Sequence, residues 1–223
     1  MNIKENLEKL LSEVPSNVKI IAVSKTQPVS NILEIYHAGH RLFGENKAQE
    51  LLIKQPLLPA DIEVHFIGHL QTNKVRQIAP FIDTIQSIDS YKLLQTVNKE
   101  AVRFNRIIKC LLQFYIATED TKFGLDLDEA KTLIESYKKE QLANIQICGV
   151  MGMASYSEDQ NLIRKEFNQL HQYYHILKAQ IFSGSQEFRE ISMGMSGDYK
   201  LAILEGSTMI RVGSAIFGER NYH

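Results

Sequence analysis

Short apolar runs, rich in β-branched residues, recur along the chain with polar segments between them. These runs are continuous and do not alternate with polar positions, which is typical of strands covered on both faces, as in a parallel sheet. The pattern predicts eight strands, at Val18–Ser24, Arg41–Glu45, Val64–Gly68, Thr84–Ile88, Ile107–Ala117, Ile145–Met151, Arg189–Met193 and Thr208–Gly213.

Helical patterns lie between the predicted strands. Ser30 is expected to cap a helix that stops at Gly39, and Ser90 is expected to cap another. Asp126 followed by Glu129 has the spacing of a capping box. Two further helices are predicted over Ile163–Leu177 and Asp198–Leu204.

Regular alternation of strand and helix predicts βαβ units and a parallel sheet. Eight such units within 223 residues fit one compact (β/α)8 TIM-type barrel spanning residues 1–223 as a single domain. An open doubly wound sheet is the alternative architecture. No stretch has the composition of an interdomain linker.

The charge balance limits the kinds of partner. The chain has 25 Lys and Arg against 26 Asp and Glu, a net charge of −1, so no general attraction to nucleic acid or to an anionic membrane is expected. The N-terminus carries charges throughout and lacks a signal-peptide core, and no apolar run reaches the ~18 residues of a membrane helix. Cys110 and Cys148 lie in apolar runs, which indicates buried thiols and a cytoplasmic location.

In a barrel of this type the active site forms where the strands end and the following loops begin. Lys25 stands at that point after the first strand. Burial there disfavours the charged ammonium, and a neutral lysine amine forms Schiff bases with aldehydes. The alternative is a lysine that reaches water at the strand end. Asn46, after the second strand, is either a helix cap or a ligand contact.

The loops after the seventh and eighth strands often bind phosphate in such barrels. Gly213 would let the backbone approach an anion, and Ser214 would add a hydroxyl. Arg211 lies inside an apolar strand, where its charge must meet a ligand or a partner carboxylate such as Glu205.

Metal and nucleotide motifs are weak or missing in the sequence. His171 and His175 have i, i+4 spacing but stand in no H-E-x-x-H frame, so no metal site is predicted. Neither a Walker A motif, a G-x-G-x-x-G nor a G-x-S-x-G is found.

Five strings in order resemble the pyridoxal phosphate homeostasis protein family, over residues 19 to about 220. They are Ile21–Thr26, Phe43–Asn46, His65–Gly68 with Leu70–Lys74, Ile191–Ser196, and Gly206–Gly218.

The resemblance implies a single-domain barrel similar to the N-terminal barrel of alanine racemase, the fold type III of pyridoxal 5′-phosphate (PLP) proteins. It implies that PLP is held as an imine of Lys25, with Arg211 facing the pyridine nitrogen. The remaining cofactor contacts that it implies are Asn46 on the pocket wall, Gly213 and Ser214 around the phosphate, and Ser192 on the opposite loop.

The resemblance further implies an intracellular PLP carrier or reservoir in vitamin B6 homeostasis, not an efficient enzyme. An arginine at the ring nitrogen keeps that nitrogen unprotonated, which weakens the electron sink. Alanine racemase also uses a tyrosine from a C-terminal β-domain as second base, whereas the sequence here stops after the last barrel helix, at His223. We expect a monomer, with PLP-dependent apoenzymes as the partners that such a carrier would serve.

Two other functions remain open from the sequence, a PLP-dependent amino-acid racemase and a PLP-free Schiff-base aldolase on the same barrel. Two residues near the expected site have no assigned role. His69 stands where the family often has proline and either binds a ligand or packs, and Lys122 follows the fifth strand in a loop.

Overall fold

A computed structural model describes residues 2–118 and 123–218, and its eight strands close into a parallel barrel in chain order. The strands are β1 (Lys19–Val23), β2 (Leu42–Glu45), β3 (Glu63–Phe66), β4 (Thr84–Ile88), β5 (Ile108–Phe114), β6 (Ile145–Gly152), β7 (Glu190–Ser192) and β8 (Met209–Val212). Each coincides with one predicted run to within a few residues at either end.

Helices connect the strands and form the outer layer. They are α1 (Ile3–Glu13), α2 (Val29–His37), α3 (Ala48–Lys54), α4 (Thr72–Ile78), α5 (Tyr91–Arg103), α6 (Leu127–Lys139), α7 (Gln160–Gln180), α8 (Tyr199–Leu204) and α9 (Ser214–Phe217), with a 3-10 turn at Gln55–Leu57. In the described part of the chain, none of these helices is long and apolar enough to cross a membrane.

Closure of the barrel is made by β1, which pairs in parallel with both β2 and β8. Ile21 of β1 lies opposite Arg211 of β8 in this pairing. The (β/α)8 architecture is thereby confirmed, and the open doubly wound sheet is excluded because it would leave two edge strands unpaired.

Apolar side chains fill both faces of the sheet, as the continuous runs predicted. The larger core lies between the strands and the helices. The smaller one lies inside the barrel and consists of Ile21, Leu111, Cys148, Met151 and Met209.

Polar side chains interrupt the barrel interior, which in this fold is usually filled by branched apolar residues. His65, Gln86, Ser192 and Arg211 are all nearly inaccessible to solvent. Hydrogen bonds join them in a row, and Arg211 at one end of this row lies on the wall of a cavity at the carboxyl ends of the strands.

Most of the predicted helix ends are confirmed. The Ser90 hydroxyl accepts the N–H of Leu93, and Asp126 and Glu129 form the full capping box. The prediction for Ser30 was wrong, because α2 begins directly after Pro28, so that Ser30 falls inside the first turn.

Helix α1 was not predicted. The Asn2 side chain caps it, and the Asn6 side chain donates a hydrogen bond of 3.0 Å to the carbonyl of Ile216 in α9. Helix α1 therefore packs on the last helix of the barrel. The two cysteines, Cys110 and Cys148, are buried free thiols, as expected.

Candidate functional site

A cavity of about 440 Å³ opens at the ends of the strands where the βα loops begin. Its size is within the usual range for small-molecule sites. Five of the six residues that the sequence analysis proposed lie on its wall, namely Lys25, Asn46, Arg211, Gly213 and Ser214.

Lys25 stands in a tight turn directly after β1. The turn is closed by a hydrogen bond of 3.0 Å from the N–H of Gln27 to the carbonyl of Ser24. Thr26 has φ = 65°, in the left-handed region that β-branched residues rarely adopt. This turn holds the half-buried Lys25 side chain at the cavity.

Arg211 is the buried charge of the site, with 4% of its surface exposed. It donates to the hydroxyl of Ser192 at 2.7 Å and to the carbonyl of Gly152 at 2.9 Å. Burial lowers the pKa of Arg211 to about 10, and the charge of Asp198 acts in the opposite direction. The guanidinium therefore stays protonated at neutral pH.

The alternative partner that the sequence suggested for Arg211 was wrong. Glu205 instead lies 2.9 Å from the side chain of Arg164 on α7. Glu205 follows α8 on the outside of the barrel, whereas Arg211 lies in the interior, so the barrel wall separates them.

Ser192 is not among the residues that line the cavity, and its predicted contact with the cofactor stays a prediction. Its hydroxyl is fully buried between two side chains, accepting from Arg211 and donating to Oε1 of Gln86 at 2.6 Å. The amide nitrogen of Gln86 lies 2.8 Å from Nδ1 of His65. Ser192 thus supports Arg211 from behind.

A cluster of backbone N–H groups lies at the turn between β8 and α9. The Ser196 hydroxyl accepts from the N–H of Gly213 at 3.1 Å and from the N–H of Ala215 at 3.4 Å. These two donors therefore converge on a single oxygen. Sequence reasoning missed Ser196, although it ends one of the matched strings and follows the seventh strand, where phosphate loops are expected.

Protein packing does not demand a glycine at position 213. An added Cβ there would lie 3.4 Å from the nearest protein atom, the carbonyl oxygen of Val23, which is an ordinary contact. A requirement for Gly213 would come from what the cavity holds.

Asn46 carries an orphaned polar atom. Its Oδ1 is buried and has no hydrogen-bond partner within the described part of the chain. Its backbone is fixed by Gly68, where an added Cβ would stand 2.3 Å from the Asn46 carbonyl oxygen. A buried, unpaired acceptor on a cavity wall is expected to meet a donor from a ligand or water.

The loop after β6 adds wall residues that sequence reasoning missed, including Ser155 and Tyr156. No local motif marks them, because only closure of the barrel brings this loop to the cavity. His69 is not on the wall; its ring stacks on Phe123 at 4.3 Å and lies 3.2 Å from Asp89.

Two predictions concern residues away from this cavity. Lys122 lies outside the described residues. Nε2 of His171 and Nε2 of His175 are 3.0 Å apart, and the described residues contain no group of three or more side chains suited to a metal ion.

A wider groove of about 590 Å³ lies between α1 and α8, on the other side of Ser196–Asp198. Its main charged groups are already paired, since Lys200 lies 2.9 Å from Glu13. The smaller cavity, with its buried cation and its orphaned acceptor, is therefore the better candidate site.

The barrel carries a lysine after β1, an arginine in β8 and an amide turn before the last described helix, which agrees with the alanine racemase-type barrel that the sequence resemblance implies. The sequence profile of the family "Alanine racemase, N-terminal domain" matches residues 1–221, so the chain belongs to that family. Within it, the chain belongs to the pyridoxal phosphate homeostasis proteins. The relative from Aquifex aeolicus is 34% identical with full coverage of both chains, and that from Vibrio alginolyticus is 36% identical over 99% of each.

Solved structures agree with this assignment. PipY of Synechococcus elongatus, determined with PLP bound, is 36% identical and superposes with a TM-score of 0.86 over 97% of this chain and all of its own. An alanine racemase of Clostridium difficile has a TM-score of 0.80 at 13% identity, covering 98% of this chain and 57% of its own. That second likeness shows the fold alone.

Proposed function

We propose that this protein binds PLP through a covalent bond to Lys25 and acts as a PLP carrier or reservoir in vitamin B6 homeostasis, without efficient catalysis. One observation carries the proposal: the amine of Lys25, the buried guanidinium of Arg211 and the Gly213–Ser214 turn share one cavity. The names of the relatives, and the PLP bound in PipY, support the same cofactor.

The residues on the wall fit the chemical groups of PLP. The N–H groups of Gly213 and Ala215 already converge on the Ser196 hydroxyl oxygen, and a phosphate oxygen is a stronger acceptor of the same kind. The orphaned Oδ1 of Asn46 offers an acceptor for a ligand donor. The cavity therefore has the donors and the acceptor that a phosphorylated, hydroxylated ring needs.

When bound, PLP supplies an aldehyde whose carbon forms a C=N bond with a lysine amine while water leaves. Lys25 is the lysine on the wall of this cavity. Arg211 has only donors to offer, and more of them than its contacts with Ser192 and Gly152 use. It would hydrogen-bond a ring nitrogen without protonating it, which supports retention of the cofactor over carbanion chemistry.

The setting of this function is part of the proposal. We infer that residues 1–223 form one PLP-binding domain that works as a monomer in the cytoplasm and serves PLP-dependent apoenzymes, with no role for nucleic acid. The two buried free thiols support a reducing compartment. The closed barrel supports a monomer, because it leaves no strand edge to pair.

The test is an absorbance spectrum of the purified protein with added PLP, followed by borohydride reduction and peptide mapping. We expect a yellow imine band and a reduced adduct on Lys25, both lost in Lys25→Ala. Lys19→Ala is the matched control. Lys19 is the first residue of β1, which precedes Lys25, and its ammonium pairs with Glu190 away from the cavity wall. An adduct elsewhere, or none, would overturn the proposal.

A racemase remains the second candidate because Tyr156 lies on the cavity wall, fully exposed to solvent. A racemase needs a second acid–base group, and tyrosine can supply one. Racemisation of alanine by the PLP-loaded protein, lost in Tyr156→Phe, would favour this candidate. Turnover that stays at the level of free PLP would exclude it.

A further inference from the structure

A buried ionic cluster lies directly behind the turn that carries Lys25. Lys54, at the end of α3, is only 5% exposed. Its ammonium lies 2.7 Å from a carboxylate oxygen of Glu45, 2.6 Å from one of Glu50, and 2.7 Å from the carbonyl of Ser24. Since that carbonyl also closes the Lys25 turn, Lys54 binds the first residue of the turn.

Glu50 binds the same turn at its third residue. The oxygen that accepts from Lys54 also accepts the backbone N–H of Thr26 at 2.5 Å. Thr26 is the residue in the left-handed conformation, which a threonine rarely adopts without support. Helix α3 therefore holds the backbone on both sides of Lys25 through two side chains spaced i, i+4.

A third contact comes from β2. The Ser24 hydroxyl donates to the same Glu45 oxygen that contacts Lys54, at 2.7 Å. Two carboxylates and one ammonium thus enclose the turn. Burial of Lys54 and Glu45 carries a desolvation cost, so for stability alone a lysine exposed to solvent would cost less free energy. Such a cluster calls for a reason beyond packing.

We propose that Glu50 and Lys54 are positioning residues that hold the strained turn at Lys25 and so present its amine to the cavity. The inference rests on the proposed function, because it concerns the lysine that binds PLP. It assigns no chemistry to Glu50 or Lys54 themselves, and both act through the backbone of Ser24 and Thr26.

Glu50 is the better residue to change, because its removal leaves Lys54 and Glu45 as a neutral pair. Glu50→Ala removes the acceptor for the Thr26 N–H. Glu50→Gln keeps an oxygen that can accept from both Thr26 and Lys54. We expect Glu50→Ala to weaken apparent PLP binding about tenfold, as for the loss of one hydrogen bond to a charged acceptor, and Glu50→Gln to recover most of it.

Two further variants separate positioning from general destabilisation. Glu129→Ala removes a carboxylate that likewise accepts a backbone N–H, that of Asp126 at 2.9 Å, but on α6 away from the cavity wall. It should lower the melting temperature without changing the imine spectrum. Thr26→Gly in the Glu50→Ala background should restore PLP binding, because glycine adopts positive φ at no steric cost.

The measurements are the imine absorbance as a function of PLP concentration and the melting temperature of each variant without PLP. If the wild-type protein forms no Lys25 adduct, both the proposed function and this inference are overturned. If the wild-type protein forms the adduct and Glu50→Ala binds PLP equally well, the positioning role alone is overturned. If Glu50→Ala and Glu129→Ala lose PLP binding to the same extent, the positioning role is also overturned, because the loss would then follow from lower stability.

Discussion

The hydroxyl of Ser192 joins two buried polar groups, and its removal is expected to destabilise the barrel far more than an ordinary serine deletion. It accepts from the Arg211 guanidinium at 2.7 Å and donates to Gln86 at 2.6 Å. A hydrogen bond to a charged group contributes about 1.5–3 kcal/mol and a neutral one about 0.5–1.5 kcal/mol. Because the two bonds share one hydroxyl, we expect a loss of about 3 kcal/mol in Ser192→Ala.

Ser207 provides a matched control. It is another buried serine, and its hydroxyl lies 2.8 Å from the carbonyl of Met193, with no charged partner. Ser207→Ala should lose about 1 kcal/mol, the typical value for one neutral hydrogen bond.

The assay is urea unfolding of both variants and the wild-type protein without PLP, followed by circular dichroism. Comparable m-values would show that the same surface is exposed on unfolding, so that the midpoints report stability. If Ser192→Ala loses no more stability than Ser207→Ala, the reasoning that Ser192 supports the buried charge of Arg211 is refuted.

Three other predictions concern the Gly213 turn, the carboxylate of Glu63, which lies 3.2 Å from Nε2 of His65, and the two buried thiols. Gly213→Ala should keep the wild-type melting temperature, because the added Cβ makes only ordinary contacts with Val23. It should bind PLP more weakly, because the methyl group would compete with a phosphate held at that turn; equal binding would contradict a phosphate there. The hydrogen bond to His65 lowers the pKa of Glu63 from its usual 4.5. Glu63 therefore contributes to the free energy of unfolding above pH 4.5, and this contribution is lost as the pH falls through the lowered pKa. In Glu63→Gln, the urea midpoint should fall less steeply with decreasing pH over this range. Burial raises the pKa of Cys110, and raises that of Cys148 to about 11, so neither thiol should react with a thiol reagent at neutral pH before urea unfolds the chain.

Much of the barrel could be predicted because its strands are buried on both faces and stand out as continuous apolar runs. Helix ends were predictable where a side chain caps the backbone locally, as at Ser90 and Asp126. Ser30 was wrongly predicted as a cap because serine is a good capping residue, whereas α2 begins directly after Pro28. The short helices α3 and α4 have too few turns for a clear apolar period.

The candidate site could be predicted only as far as loop positions allow. Gly213 follows β8 directly and Lys25 follows β1 after one residue, so the rule that sites form at strand ends found them. The partners of Arg211 could not be found that way, because Ser192 and the Gly152 carbonyl lie 19 and 59 residues away and meet it only after barrel closure. The sequence therefore predicted Ser192 as a cofactor contact but gave no sign that its hydroxyl binds Arg211.

The hydrogen bonds that join the buried polar side chains inside the barrel all run in one donor-to-acceptor direction. An arginine can only donate, so the Ser192 hydroxyl must accept from it and has its one hydrogen left for Oε1 of Gln86. The amide nitrogen of Gln86 then faces His65, whose Nδ1 must be the acceptor, leaving the ring hydrogen on Nε2 to point at Glu63. The positive charge at the mouth of the barrel thus selects the tautomer of a histidine near its far end.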